Sequence, residues 1–453
     1  MGRSKNRKPR QPVRLTLDIE SLDFEGSGIA HHEGKVFFVE GALTGERVVA
    51  EVTKDKVRYA RATTLEVLKA ASSRVEPRCP NYQACGGCSM QHMDIGVQVA
   101  TKARALEDLL SRIGKTKPEV VLPPMYGPTW HYRHRARLSC RYVFKRNEMM
   151  VGFHEKHSSF VVPMDQCEIL PKHVSDLIPA LKVLISGMNA RDHIAQIELA
   201  VGHETTAMVL RHLEPLSDND LQALRQFGNQ HGIDWWLQPG GIDSIHRLQA
   251  EKPAPLYFLI PSFGIKMHFL PTDFTQVNHQ INDSMVYRAV NLLDPQPQDR
   301  VLDLFCGLGN FSLPLATRCA TVKAFEGSDD LVQRAQDNAR QNGLDGCTEF
   351  HVRNLFEVET PEWQSWGQFD KVLIDPPRDG AFAVCKAIAG AADDFKPGRI
   401  VYISCNPSTL ARDVEVLCGQ GGYLLKKAGV MNMFPHTGHV ESIAVLERQT
   451  TTV

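Results

Sequence analysis

The chain has 453 residues, of which 23% are charged, and a formal net charge of −1. At roughly 150 residues per domain that length predicts about three domains with sizeable cores, and near-neutral charge excludes a protein that holds nucleic acid by bulk electrostatics alone. No apolar run approaches the roughly 20 residues of a spanning helix, so no membrane partner is expected, and the N-terminus lacks the apolar stretch of a secretory signal, so the chain reads as cytoplasmic.

Taken in order, residues 1–13 form a basic tail (Arg3, Lys5, Arg7, Lys8, Arg10), expected to be disordered or to meet phosphates. Short alternating runs at 13–17, 35–39, 46–52, 59–62 and 63–67, separated by Gly34 and Gly45, predict a five-stranded barrel over 14–72. Cys79, Cys85 and Cys88 follow, spaced by five and two residues. Eleven cysteines in a cytosolic chain point to metal or catalysis rather than disulfides. With a distant fourth ligand, Cys167 or its rival Cys140, the cluster reads as a metal site. Zinc ligands usually come as pairs, whereas iron–sulfur clusters tolerate irregular spacing. Apolar residues from Val97 to Ile113 recur at helical spacing, closed by Gly114. Arg133, Arg135 and Arg137 would share one face of a strand, either as a solvated basic edge or as a phosphate contact. The remainder of 73–272 predicts a central α+β domain.

From residue 273 the pattern becomes strand–helix alternation, with strands predicted at 300–304, 321–325, 348–353, 370–374, 399–404, 423–428 and 442–447. That order predicts a doubly wound, Rossmann-like domain over 273–453 with ligands at the carboxyl ends of its strands. After the first strand, the loop Phe305-Cys306-Gly307-Leu308-Gly309-Asn310 has two glycines that allow close backbone approach. It lacks both the third glycine of a dinucleotide fingerprint and the lysine of a phosphate loop. Glu326, ending the next strand, is placed for ribose hydroxyls, and the combination favours S-adenosylmethionine over NAD or ATP. Asp375, held by Pro376 and Pro377, ends the fourth strand, and Cys405 ends the fifth. Carbon 5 of uracil is a poor nucleophile until a thiolate adds to carbon 6, after which a base must remove the carbon-5 proton. Cys405 suits the first task and Glu441 the second, with His436 and His439 as other bases. Asp375 or Gln276 suits recognition of the uracil edge.

These motifs together, from Phe274-Thr275-Gln276 through Asp303–Phe311, Asp375–Arg378 and Ser404–Pro407 to Phe434–Glu441, resemble the RNA uracil-5-methyltransferases across nearly the whole chain. The resemblance implies an N-terminal OB-like TRAM β-barrel, a central α+β domain with a [4Fe-4S] cluster on Cys79, Cys85, Cys88 and Cys167, and a C-terminal S-adenosylmethionine-dependent methyltransferase domain. It implies that Gln276, Phe305, Asn310, Glu326, Asn354 and Asp375 hold the cofactor or the base beside it, with Cys405 as nucleophile and Glu441 as proton acceptor. Phe274 is expected either to stack on a flipped base or to pack in the core. Barrel and cysteine cluster together are similar to the branch acting on 23S ribosomal RNA at uracil 1939, as a monomer. The same chemistry on another ribosomal or transfer RNA, or an RNA-binding iron–sulfur sensor without catalysis, are the alternatives.

Overall fold

The computed structural model describes residues 13–250 and 255–449; the basic run up to Arg10 lies outside the described residues. The chain forms two compact units. The first runs to Tyr82 and takes in Cys88–Ala105 and His436–His439; the second comprises Gln83–Gly87, Leu106–Pro435 and the chain from Val440 onward.

The first unit is built on a six-stranded sheet in the order Arg14–Asp18, Arg47–Asp55, Tyr59–Lys69, Lys35–Glu40, Gly28–His32, Ser21–Leu22. Leu17, Phe37, Val39, Val48, Ala50, Ala60 and Ala62 alternate inward onto one apolar core. Three register shifts between Arg47–Asp55 and Tyr59–Lys69 bend the sheet around that core. The runs predicted at 59–62 and 63–67 are one continuous strand. The strands Ser21–Leu22 and Gly28–His32 escaped the sequence reading because they are short and interrupted by polar residues.

The second unit carries two large sheets. A six-stranded sheet runs in the order His246–Arg247, Ile233–Gln238, Thr206–His212, Ile194–Val201, Arg135–Val143, Glu148–Gly152. The other is eight-stranded, and seven of its strands are named here β1 (Arg300–Leu304), β2 (Thr321–Glu326), β3 (Thr348–Val352), β4 (Lys371–Ile374), β5 (Arg399–Ser404), β6 (Tyr423–Met431) and β7 (Glu441–Arg448). Their order is β3-β2-β1-β4-β5-β7-β6, and Val120–Val121 adds beyond β6. Strands β1 to β5 are parallel, and β7 runs antiparallel to both β5 and β6. The central parallel strands β1, β4 and β5 are apolar on both faces, as in Val301, Leu302 and Leu304 or Ile400 to Ile403, because helices cover both sides, whereas the edge strand β3 leaves Glu349 and Val352 exposed.

Helix α1 (His279–Leu293) buries Ile281, Met285, Val286, Ala289, Val290 and Leu293 in the same cluster as Val301, Leu373, Val401 and Ile443. Helices α2 (Ser312–Ala316), α3 (Asp329–Gln341), α4 (Phe382–Gly390) and α5 (Pro407–Gly419), with the short helix Thr360–Ser365 between β3 and β4, complete the alternation. Strand order reverses between β1 and β4, which opens a crevice at their carboxyl ends.

Candidate active site

Every strand end at that crevice carries a side chain singled out by sequence. Beyond β1, Phe305 adopts φ +63°, a left-handed conformation that costs a non-glycine residue about 1–3 kcal/mol. Gly307 and Gly309 follow at +54° and +96°. A Cβ built on Gly307 would meet nothing within 4 Å, so the backbone faces open space there. The Gly307 amide donates to Glu326 Oε2 (3.0 Å), while Glu326 Oε1 accepts from the amides of Gly327 (2.7 Å) and Ser328 (3.2 Å). The loop and the acid are therefore one hydrogen-bonded unit, and the Oε2 atom, holding a single bond, keeps acceptor capacity for a hydroxyl. An open backbone cradle beside a fixed carboxylate fits a ribose-bearing cofactor. Asn310 is locked to Asn282 of α1 by two reciprocal amide bonds of 2.9 and 3.0 Å. Asn282 is fully buried; its one local signal was a polar residue on the apolar face of α1.

Beyond β3, Asn354 is exposed and caps the turn Leu355–Glu357 through a bond from the Phe356 amide (3.1 Å). The Phe356 ring lies 5.6 Å from that of Phe305. Gln276 is half-buried in the loop preceding α1. In the same loop Phe274 is 70% exposed, so packing in the core, one of its two expected roles, is corrected. Arg135 also differs from expectation. Its guanidinium donates to the carbonyls of Pro271 (2.7 Å) and Asp273, and Arg137 pairs with Glu198, so two of the three alternate arginines are engaged within the protein.

On the other side of the crevice, the β5–β7 ladder ends on the pair Ser404–Ser442, reinforced by a bond from Ser442 Oγ to the Ser404 carbonyl (3.0 Å). One step further along this antiparallel register, Cys405 and Glu441 come opposite each other. Cys405 precedes α5, whose N-cap Asn406 accepts from the Ser408 amide and whose first residue is Pro407. Burial pushes the Cys405 thiol up to about 11; the charges of Glu441 and Asp375 act in the same direction and Arg378 opposes them. Burial, with the charge of Asp375, also holds the Glu441 carboxyl well above the usual carboxylate range. Burial raises Asp375 to about 7.

Asp303, fully buried within β1, is raised to about 8 by burial and by the charges of Asp375 and Glu326, against a 2.5 Å bond from the Ser312 hydroxyl. Burial thus opposes ionisation of Asp303, Asp375 and Glu441, and positive charge arriving at the crevice favours it.

His436, one of the other candidate bases, belongs to the first unit. There its amide donates to Gln98 Oε1 (2.8 Å), its ring Nδ1 meets Gln98 Nε2 (3.2 Å), and its carbonyl accepts from the amides of Ser89 and Met90. These bonds tie both its backbone and its ring to neighbours in that unit. Of the predicted thiols, Cys79 and Cys88 are half-buried in the first unit, and the Cys79 amide donates to Gln91 Oε1 (3.1 Å). Cys85 and Cys167 are buried in the second. The Cys85 sulfur accepts from the Gly87 amide (3.4 Å), and the Cys167 amide donates to Ser175 Oγ (2.8 Å). Among the described residues, no three His, Cys, Asp or Glu side chains are gathered in a geometry that would hold a metal ion. Likewise, among them no helix is long and apolar enough to cross a membrane.

Residues 94–449 match the model of the tRNA (uracil-5-)-methyltransferase family, and residues 13–65 match the TRAM domain. The chain is 54% identical to a 23S rRNA (uracil(1939)-C(5))-methyltransferase RlmD of Bordetella pertussis, over 95% of this chain and 92% of that protein. It is 52% identical to the protein of the same name from Cupriavidus pinatubonensis, over 96% and 95% respectively. Among solved structures, the tRNA (uracil-54, C5)-methyltransferase of Pyrococcus abyssi, in complex with S-adenosyl-L-homocysteine, superimposes with a TM-score of 0.71 at 25% identity. The match covers 95% of this chain and all of that one.

Proposed function

The chain belongs to the tRNA (uracil-5-)-methyltransferase family, and we infer from that membership and from the crevice that it methylates carbon 5 of a uracil in 23S ribosomal RNA, at position 1939. The observation that carries the chemistry is the meeting of Cys405 and Glu441 at the open end of the β5–β7 ladder, beside Asp375. S-adenosylmethionine, when bound, supplies the methyl group on a positively charged sulfonium.

Cys405 Sγ, half-buried, gives up its proton to solvent and as a thiolate bonds to carbon 6 of the ring. The electron pair of the 5,6 double bond shifts toward carbon 5 and the carbon-4 oxygen, and carbon 5 becomes nucleophilic enough to take the methyl. Glu441 then removes the hydrogen left on carbon 5. The 5,6 double bond re-forms and Cys405 leaves as thiolate. A carboxyl raised by burial becomes a stronger base once ionised, which suits that proton transfer. Positive charge brought to the strand ends lowers the Cys405 pKa, so the thiol is activated when the site is filled. Asp375 or Gln276 reads the uracil edge, Phe274 meets the displaced base, and Gln276, Phe305, Asn310, Glu326, Asn354 and Asp375 together hold the cofactor or the base beside it.

We further propose that Cys79, Cys85, Cys88 and Cys167 carry a [4Fe-4S] cluster. Support comes from their spacing, the all-thiol donor set and the amide directed at the Cys85 sulfur. Methyl transfer needs no electron, so the cluster serves structure or RNA holding; protein purified anaerobically without iron and sulfide would remove it. The same reading divides the chain at 14–72, 73–272 and 273–453, and takes it as a cytoplasmic monomer. The deciding experiment incubates the protein with 23S RNA fragments and methyl-labelled cofactor. Label on uracil carbon 5 supports the reading, and RNA binding without transfer overturns it.

A further inference from the structure

The turn that follows Asp375 is anchored almost wholly by the segment that carries Cys405. Asn406 Nδ2 (3.0 Å) and Thr409 Oγ1 (3.3 Å) donate to the Arg378 carbonyl, and Arg412 Nη2 donates to the Asp379 carbonyl (2.9 Å). The centre of the arrangement is Asp413 of α5, a carboxylate with no exposed surface. Its Oδ2 accepts from the Tyr402 hydroxyl (2.6 Å) and the Ala381 amide (2.7 Å), and its Oδ1 accepts from Arg412 Nε (2.8 Å). Tyr402 lies on β5 in register with Ile374, the residue before Asp375. Gly380 completes the fit. It adopts φ +77°, and a Cβ there would stand 2.6 Å from Arg412 Nη2 and 2.7 Å from Asp413 Oδ2.

We propose that Asp413 is a positioning residue for methyl transfer. By clamping the 378–381 turn to α5 and β5, it fixes Asp375 at one distance from Cys405. A buried carboxylate holding three donors does this in a way no neutral side chain can. An asparagine at 413 has one acceptor oxygen, so its amide NH2 must face either the Ala381 amide, which also donates to the Tyr402 hydroxyl (3.0 Å), or the Arg412 guanidinium, a donor against a donor in each case. The turn then shifts, and Asp375 shifts with it. A displacement of about 1 Å at reacting groups costs about a hundredfold in rate.

This inference rests on the role given to Asp375 above, and the test separates the two. Methyl transfer to a 23S fragment is measured for Asp413→Asn, Asp375→Ala and the double variant, together with cofactor affinity and the thermal midpoint. Asp413→Asn is expected to lower kcat about a hundredfold, with cofactor affinity and the KM for RNA within about threefold of wild type. In the Asp375→Ala background the same change should cost no more than about twofold, because the residue it acts through is gone. An equal loss in both backgrounds, or a loss of kcat matched by cofactor affinity and melting, would overturn the inference. Wild-type turnover by Asp375→Ala alone would overturn the role of Asp375 itself, and the positioning argument with it. If Asp413→Asn does not fold, Tyr402→Phe keeps the carboxylate and removes one donor. About fivefold lower kcat, a single hydrogen bond's worth, supports the inference, and unchanged kcat overturns it.

Discussion

Replacing Asp303 by asparagine should stabilise the protein, and increasingly so as pH rises. The side chain sits fully buried in β1 beneath the cofactor loop, where Ser312 Oγ donates to Oδ2 and no partner reaches Oδ1. Burial first, then the charges of Asp375 and Glu326, raise its pKa from an ordinary 3.8 to about 8. A carboxyl whose folded pKa is raised gives its full share of stability below the unfolded pKa. That share is lost as pH climbs toward the folded value, because only the unfolded chain ionises freely. Each pH unit inside the window costs a little over 1 kcal/mol, so between pH 5 and pH 7 the native state loses about 3 kcal/mol on account of this group. Asparagine keeps the shape and the acceptor for Ser312 and does not titrate. Urea unfolding of both proteins at pH 5 and pH 7 reads the effect. The advantage of Asp303→Asn should widen by about 3 kcal/mol between the two. An advantage independent of pH would mean that Asp303 is already ionised in the folded protein, and would refute the account of Asp303 as an acid whose ionisation burial opposes.

Three further outcomes follow from the same geometry. Glu441→Gln should form the covalent RNA adduct and stall after the carbon-5 methyl is in place, visible as a methyl-labelled band that survives a denaturing gel; free turnover would give the proton to another group. Alkylation of Cys405 by iodoacetamide, followed by peptide mass spectrometry, should speed up about tenfold per pH unit through pH 8 to 10 and level off only near 11, because the thiol is the resting form. Gly380→Ala places a Cβ against Arg412, Asp413 and Thr409 at a left-handed φ, and should cost about 2 kcal/mol or more in thermal unfolding.

Where chemistry followed local pattern, the chain could be read directly. The strands β2, β4 and β5 are closed by Gly327, Asp375 and Cys405, and each predicted boundary of β1 to β5 fell within two residues of the observed one. Glu326, Asp375 and Cys405 were legible because a parallel sheet places every strand's exit at one edge. Features fixed by distant partners were not. Val120–Val121 lies in a proline-rich stretch and becomes a strand only by pairing with Lys427 and Ala428. Asp413 lies inside a helix with no motif around it, and one of its partners is an amide 32 residues earlier. Arg135 fitted a phosphate-binding pattern by spacing, yet the carbonyls of Pro271 and Asp273 claim it. Neither the count of charges nor their alternation distinguishes those two fates.

The sulfur–carbon bond is the step from which the rest of the mechanism follows. An RNA fragment bearing 5-fluorouracil at the target position, incubated with protein and S-adenosylmethionine, should stall as an adduct, since Glu441 finds fluorine where it requires a proton. Mass spectrometry of the digested complex should place a methylated fluoropyrimidine on Cys405. Its attachment to a different cysteine, or methylated RNA released with no protein bound to it, would contradict the account.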